Sequence, residues 1–238
     1  MGVFRYDIHT HTKETSLCGK ISAEDLVSQY IALNYNGIVI TDHLHDEWVS
    51  SQASGSPSGK GGWNACVDAY LKGYRAAKEF ASRISRGSFD VLFGIELRYP
   101  ENENDYLIYG IDEQFLRDNP YPYRSSPREF FESHGSKTLI IQAHPFRDGC
   151  HPAPVRFLHG IEVFNGNPRH DNRNARSLAL AQKNPQLLQT CASDTHQSGD
   201  AGRAAMLFDK RVTDSRGLLS ELTRNTYTME TDRGEPHG

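Results

Sequence analysis

The sequence predicts one α/β domain, with a parallel sheet closed in a barrel-like way and helices outside it. Three observations lead there. Short apolar runs alternate with amphipathic stretches, the pattern of successive βα units. The 238 residues suffice for one large domain, and no repeat or linker divides them. Histidines and carboxylates recur at the ends of successive strand-like runs, as expected where parallel strands deliver their C-terminal ends to one face.

The elements follow in order. Residues 3–8 read as a strand. Ser22-Ala23-Glu24-Asp25 marks a helix start, with Ser22 as N-cap, and the helix runs to about residue 33. Residues 37–41 (GIVIT) form a buried-type strand. Residues 48–63 are rich in Ser and Gly and read as a loop, flexible over 50–62. A helix is expected over 64–85, then strands at 90–97, 106–111, 138–142, 160–164, 187–192 and 204–208. Helices are expected at 127–133, 172–183 and 214–223. Residues 232–238 read as a frayed tail, which sets His237 aside.

Composition narrows the function. With 37% hydrophobic and 24% charged residues the chain is a folded protein, not a disordered one. A net charge of −4 offers no long-range attraction to nucleic acid or an anionic membrane. No run has the length of a transmembrane helix, and the N-terminus lacks a signal-peptide core, so a cytoplasmic protein is expected. Cys18, Cys66, Cys150 and Cys191 form no CxxC pair, which argues against a disulfide framework or a thiolate zinc knuckle.

The chemistry sits at the strand ends. His9 and His11 lie two residues apart, so a strand projects both from one side. Asp42 and His43 end the second strand, Glu96 follows another, His144 another, and Asp194 and His196 a further one. Each alone has a bland reading; an HxH pair is common and a strand-end Asp often caps a turn. Together they crowd imidazoles and carboxylates at one mouth, which only cations would compensate. Imidazole and carboxylate suit Zn, Mn or Fe. The remaining histidines read as structural or surface groups: His134 near a helix end, His159 and His170 in loops, His45 and His151 beside the site segments.

Taken together, Tyr6-Asp7-Ile8-His9-Thr10-His11-Thr12, Ile40-Thr41-Asp42-His43, Phe93-Gly94-Ile95-Glu96, Ala143-His144-Pro145, Gly160-Ile161-Glu162-Val163-Phe164-Asn165 and Ala192-Ser193-Asp194-Thr195-His196 closely resemble the PHP (polymerase and histidinol phosphatase) metallohydrolases. The motifs occur in the family's order from Tyr6 to at least Gly202. The resemblance implies a single-domain distorted (β/α)7 barrel over residues 1–238, with a trinuclear site holding two or three divalent ions. It implies His9, His11, Glu96 and Asp194 as ligands of one metal, Glu96 and His144 of a second, and His43 and His196 of a third. Asp42 would orient a ligand imidazole from behind.

Two departures from the family pattern stand out. Asp105 takes the place of a second-metal histidine in Asn104-Asp105-Tyr106-Leu107-Ile108-Tyr109-Gly110. Past the HxH pair, the segment that would supply a third-metal ligand offers Glu14 and Cys18, of which Cys18 is the better placed to approach the site.

The activity expected from the resemblance is hydrolysis of a small phosphate ester, a phosphomonoester or nucleotide phosphodiester, by a hydroxide bridging the metals. His43, His196 and Glu96 would be the catalytic groups. Arg147 and Arg203 are candidate phosphate clamps, since guanidinium binds anions in a bidentate way. A small phosphorylated substrate is the expected partner, long nucleic acid and membrane are not, and with no polymerase module in the sequence a proofreading role is not expected. Hydrolysis of an amide or other ester, and a non-catalytic metal-binding module, are the competing readings.

Overall fold

The computed structural model describes residues 2–52 and 62–231. In chain order the elements are β1 (Phe4–Thr10), α1 (Ala23–Ala32), β2 (Gly37–Ile40), β3 (His43–Leu44), α2 (Asp46–Gln52), α3 (Gly62–Tyr70), α4 (Lys72–Ser85), β4 (Asp90–Phe93), β5 (Ile95–Arg98) and β6 (Asp105–Tyr109). They continue with α5 (Glu113–Asp118), α6 (Pro127–His134), β7 (Leu139–Gln142), β8 (Gly160–Asn165), α7 (Asn174–Lys183), β9 (Leu188–Ala192), β10 (Ala204–Phe208), α8 (Ser215–Arg224) and β11 (Thr228–Thr231). No helix among the described residues is long and apolar enough to cross a membrane.

Local chemistry sets several boundaries. Ser22 caps α1 by accepting the Asp25 N–H at 3.1 Å, and the helix buries Leu26, Val27 and Tyr30. Ser126 and Glu129 close a reciprocal capping box on α6, with Pro127 at its first position, where the missing N–H costs nothing.

The strands form one α/β domain with two mixed sheets, ordered β11-β10-β1-β2-β4 and β3-β5-β6-β7-β8-β9. The expected all-parallel sheet is corrected: β6 runs antiparallel to both β5 and β7, and β10 to β1 and β11. Only residues 99–104 join β5 to β6, too few for a parallel crossover. Among the described residues the hydrogen-bond ladders fall into two sheets. The sheets adjoin where the chain passes from β2 into β3 and from β4 into β5, and again where Thr10 bridges Thr195.

One buried cluster drawn almost wholly from strands of both sheets (Tyr6, Ile8, Val39, Leu92, Leu107, Ile141, Met206) holds the sheets together, with Leu218 and Leu222 of α8 against it. A larger one packs the opposite strand faces on the helices, through Tyr30, Ile38, Ile40, Tyr74, Phe93, Ile108 and Ile140. Alternation of adjacent residues such as Ile38 and Val39 between the two clusters is the period-two signature of a sheet covered on both faces.

The structure differs from the sequence expectations elsewhere too. The strand expected at 90–97 is two, broken at Gly94, where an added Cβ would lie 3.1 Å from the Ile108 carbonyl oxygen. The helix expected at 64–85 is two, broken at Leu71. Residues 48–52 of the expected loop belong to α2, whose Trp48 is buried and donates its indole N–H to the Thr15 carbonyl at 2.7 Å. Residues 53–61 of that loop and the tail with His237 lie outside the described residues. His159 is half-buried and accepts the Ile140 N–H at 3.1 Å, so it fixes the start of β7 instead of lying free on the surface.

Candidate metal centre

The site gathers the ends of β1, β2/β3, β5, β7 and β9. His9 is the penultimate residue of β1, and His11 lies just past its end. Both are fully buried. His43 opens β3 opposite Glu96 of β5 in the parallel register. His144 and Asp194 follow β7 and β9 with φ of 26° and 54°. Such left-handed backbone is costly for residues with a Cβ, and it persists where surroundings fix a functional side chain.

Glu96 is the centre. Its Oε1 lies 3.3 Å from His9 Nε2 and 3.2 Å from His144 Nε2, and its Oε2 lies 3.2 Å from His11 Nε2 and 3.0 Å from His43 Nδ1. Asp194 Oδ1 is 3.4, 3.3 and 3.2 Å from His9 Nε2, His11 Nε2 and His196 Nδ1. Asp105 Oδ2 is 3.8 Å from His144 Nε2, but both its oxygens accept from Arg98, at 2.8 and 2.7 Å. Three sets of side chains can each surround one ion: His9, His11 and Glu96; His43, Glu96 and Asp105; His11, His43 and His196.

The residues fit divalent cations on a direct observation. His9 Nε2, His11 Nε2, His43 Nδ1, Glu96 Oε2 and Asp194 Oδ1 are all buried without a hydrogen-bond partner, and they converge on one another. Leaving such atoms unsatisfied costs about 1–3 kcal/mol each, which coordination removes. Imidazole and carboxylate donors suit Zn, Mn or Fe.

Groups behind the candidate ligands fix their tautomers. His9 Nδ1 donates to Glu162 Oε1 at 3.0 Å, which turns Nε2 inward as the lone-pair nitrogen. His196 Nδ1 donates to the Asp194 carbonyl at 3.1 Å. Ser16 donates its hydroxyl hydrogen to Asp42 at 2.7 Å and receives His11 Nδ1 at 3.2 Å, so Asp42 orients His11 through Ser16. Glu162 also accepts the His144 backbone N–H at 3.0 Å and an Asn165 amide hydrogen at 2.8 Å. Arg147 holds Asp194 Oδ2 at 2.6 Å and bonds Asn165 and Asn172.

Charge follows this geometry. Burial, the largest influence, opposes ionisation of Glu96, yet the imidazoles of His43 and His9 hold its carboxyl well below the ordinary value. Asp194 is likewise held low against burial, by His9, Arg147 and His196. Burial pushes His9 down but Glu96, Asp194 and Glu162 raise it well above its ordinary value; His196 rises against burial to about 9 through Asp194. Burial, with His196 and His43 beside it, drives His11 well below, leaving a neutral imidazole. Burial raises the Cys18 thiol, but contacts with His196 and His43 outweigh it and bring it down to about 6.

A cavity of about 230 Å³ opens on the cluster, lined among others by His43, His144, His196, Arg98, Arg147 and Arg169. Cys18 also lines it. Glu14 turns away and accepts the Ala23 N–H at 3.0 Å, serving the start of α1. Arg203 lines an adjoining cleft of about 370 Å³ that shares His170 with the first. Sequence reasoning missed Ser16, Arg98, Asn165, Arg169 and the role of Glu162. Only Glu162 and Asn165 carried a local signal, sitting three residues apart on a strand whose neighbours supply ligands.

No curated protein sequence matches the chain. Among solved structures, it is similar to a two-domain protein from Bacteroides vulgatus described as containing a predicted PHP-like metal-dependent phosphoesterase. The TM-score is 0.67 at 14% identity, over 97% of this chain and 65% of that one. The chain therefore spans 65% of that protein's length. PsfC from Pseudomonas syringae gives a TM-score of 0.66 at 15% identity, over 97% of this chain and 92% of that one. An amidohydrolase from Chromobacterium violaceum, with sulfate and no metal bound, gives 0.52 at 15% identity, over 95% and 98%. At these identities the likeness is one of fold. The family model of the PHP domain matches residues 7–230, a span that contains every strand-end histidine and carboxylate from His9 to His196, and on that match the chain belongs to the PHP domain family.

Proposed function

We propose that this protein is a metal-dependent phosphoesterase acting on a small phosphate ester. The observation that carries the reading is the cavity of about 230 Å³ over the buried imidazole–carboxylate cluster, with Arg98, Arg147 and Arg169 among its lining residues. Guanidinium next to cations is the environment in which a phosphate dianion is best stabilised. In this reading His9, His11, Glu96 and Asp194 hold one ion, Glu96, His144 and Asp105 a second, and His43 and His196 a third. The Thr10–Thr195 bridge, which joins the end of β1 to the segment just past β9, supports reading the two sheets as a distorted (β/α)7 barrel.

When bound, such cations acidify a water and take up charge on the phosphoryl oxygens. The protein's own groups do the rest. Glu96 presents one oxygen to the His9–His144 side and the other to the His11–His43 side, which suits a bridging ligand. Arg147 fixes Asp194 from behind, leaving Oδ1 turned to three imidazoles. Arg169, a third exposed, is tethered through one nitrogen to Asp200 at 2.9 Å and can turn toward a phosphate on the rim. Arg203 would meet the part of a substrate extending past His170 into the adjoining cleft. His43 and His196 are on the cavity wall, where they would face the departing oxygen of a bound ester.

The test is metal content by elemental analysis, with hydrolysis of an aryl phosphate beside ester and amide panels, each with and without added Mn or Zn. Bound metal and metal-dependent phosphate release are expected. Metal-dependent turnover of only amides or esters would replace the reading with that of another metallohydrolase, and no metal uptake would overturn it.

A further inference from the structure

Cys18 lies in the loop between β1 and α1, exposed as a residue, and lines the same cavity wall as His43 and His196, which both bear on its thiol. These two imidazoles and His11 can present ligand atoms within 4.8 Å of one another. His11, fully buried, has one nitrogen to offer, because Nδ1 is taken by Ser16. Its Nε2 has no hydrogen-bond partner and is aimed into the cluster, 3.2 and 3.3 Å from Glu96 and Asp194. One nitrogen holds one ion. If His11 serves the inner ion with His9, Glu96 and Asp194, the outer one keeps only His43 and His196.

We propose that the Cys18 sulfur is the third protein ligand of the outer ion, completing a His43–His196–Cys18 set with one position open to the cavity. Three protein ligands and an open position are the pattern of a catalytic zinc site. A thiolate is a soft ligand, so this position selects Zn²⁺ or Co²⁺ over Mn²⁺ or Mg²⁺, while the carboxylate-rich inner positions remain tolerant. Cys150, the other thiol on the cavity wall, is 3.8 Å from His144 Nδ1, the nitrogen facing away from Glu96, and so stands behind that imidazole. It is the natural control.

The inference rests on the metal-centre reading, and the experiment separates the two. The full chain, stripped of metal and reloaded with Co²⁺, is assayed for cobalt content and for a near-ultraviolet thiolate-to-cobalt charge-transfer band. The band is expected in the native protein and in Cys150→Ser, and is lost in Cys18→Ser together with part of the cobalt. Cys18→Asp restores the cobalt without the band. Circular dichroism checks that the Cys18 variants are folded; the residue is exposed, so its replacement leaves the core intact. Cobalt bound by the native protein without a band, or a band kept in Cys18→Ser, overturns the inference and leaves the metal centre standing. No cobalt uptake by the native protein overturns both.

Discussion

Glu162 shows how much of this site is built by residues that would touch no ion. It receives His9 Nδ1, the His144 backbone N–H and an Asn165 amide hydrogen, so one carboxylate of β8 orients ligand segments from β1 and β7. Glu162→Gln keeps the shape but can present an N–H where His9 donates, which favours the wrong tautomer. Metal affinity is expected to fall about 10- to 100-fold, the usual cost of losing such a partner. Competition titration against a chromophoric chelator measures it, and unchanged affinity would show that Glu162 only packs. The imidazoles and carboxylates of the cluster and their two-residue spacing were legible in sequence. Glu162 and Ser16 as partners of His9 and His11 were not: the first pair is 153 residues apart, and the second depends on how a loop folds back.

At the scale of elements, the break between α3 and α4 ties the scaffold to the site. Thr15 Oγ1 donates to the Tyr70 carbonyl and accepts the Gly73 N–H, and Tyr70 OH donates to the Asp42 carbonyl. Gly73 makes the approach possible, since a Cβ there would lie 1.9 Å from Thr12 Oγ1 and 2.9 Å from Asp42 Oδ2. Thr12 itself donates to Asp42 at 2.8 Å through its hydroxyl and has little room to yield. Gly73→Ala is expected to cost about 1–3 kcal/mol, in the range of overpacked cores. Urea denaturation of metal-free protein reads the cost directly, and an unchanged midpoint would mean that the loop moves freely. The periodic pattern of residues 64–85 gave no sign of this break, because Leu71 keeps a near-helical φ of −77° and only its ψ departs.

For the molecule as a whole, the converging unsatisfied atoms predict that metal stabilises the fold. A chelator-stripped sample should melt below the metal-loaded one, by an amount set by the free metal: about 2.7 kcal/mol at a hundred times the dissociation constant. The pH dependence of binding has a definite sign. His9 and His43 are raised well above their ordinary value and His196 to about 9, so the metal-free site carries protons that a cation must displace. Affinity should therefore rise with pH up to about 9 and weaken below, with protons released on binding. Calorimetric titration in buffers of different ionisation enthalpy checks both, and binding without proton release would contradict the charge assignment.

The sequence by itself determined the α/β class, most of the strand positions and the residues that ring the site, because hydrophobic period and strand-end polar residues are local signals. Strand direction was decided only by tertiary structure. Residues 105–109 read alike in either sense, and it is pairing with β5 and β7 that sets β6 antiparallel. The groups behind the ligands were decided there too. Asp105 is held by Arg98, Asp194 by Arg147, His9 by Glu162 and His11 by Ser16. A hydrogen bond acts over about 3 Å of space whatever the distance along the chain, so the residues that gather at the site could be read in sequence and what aims them could not.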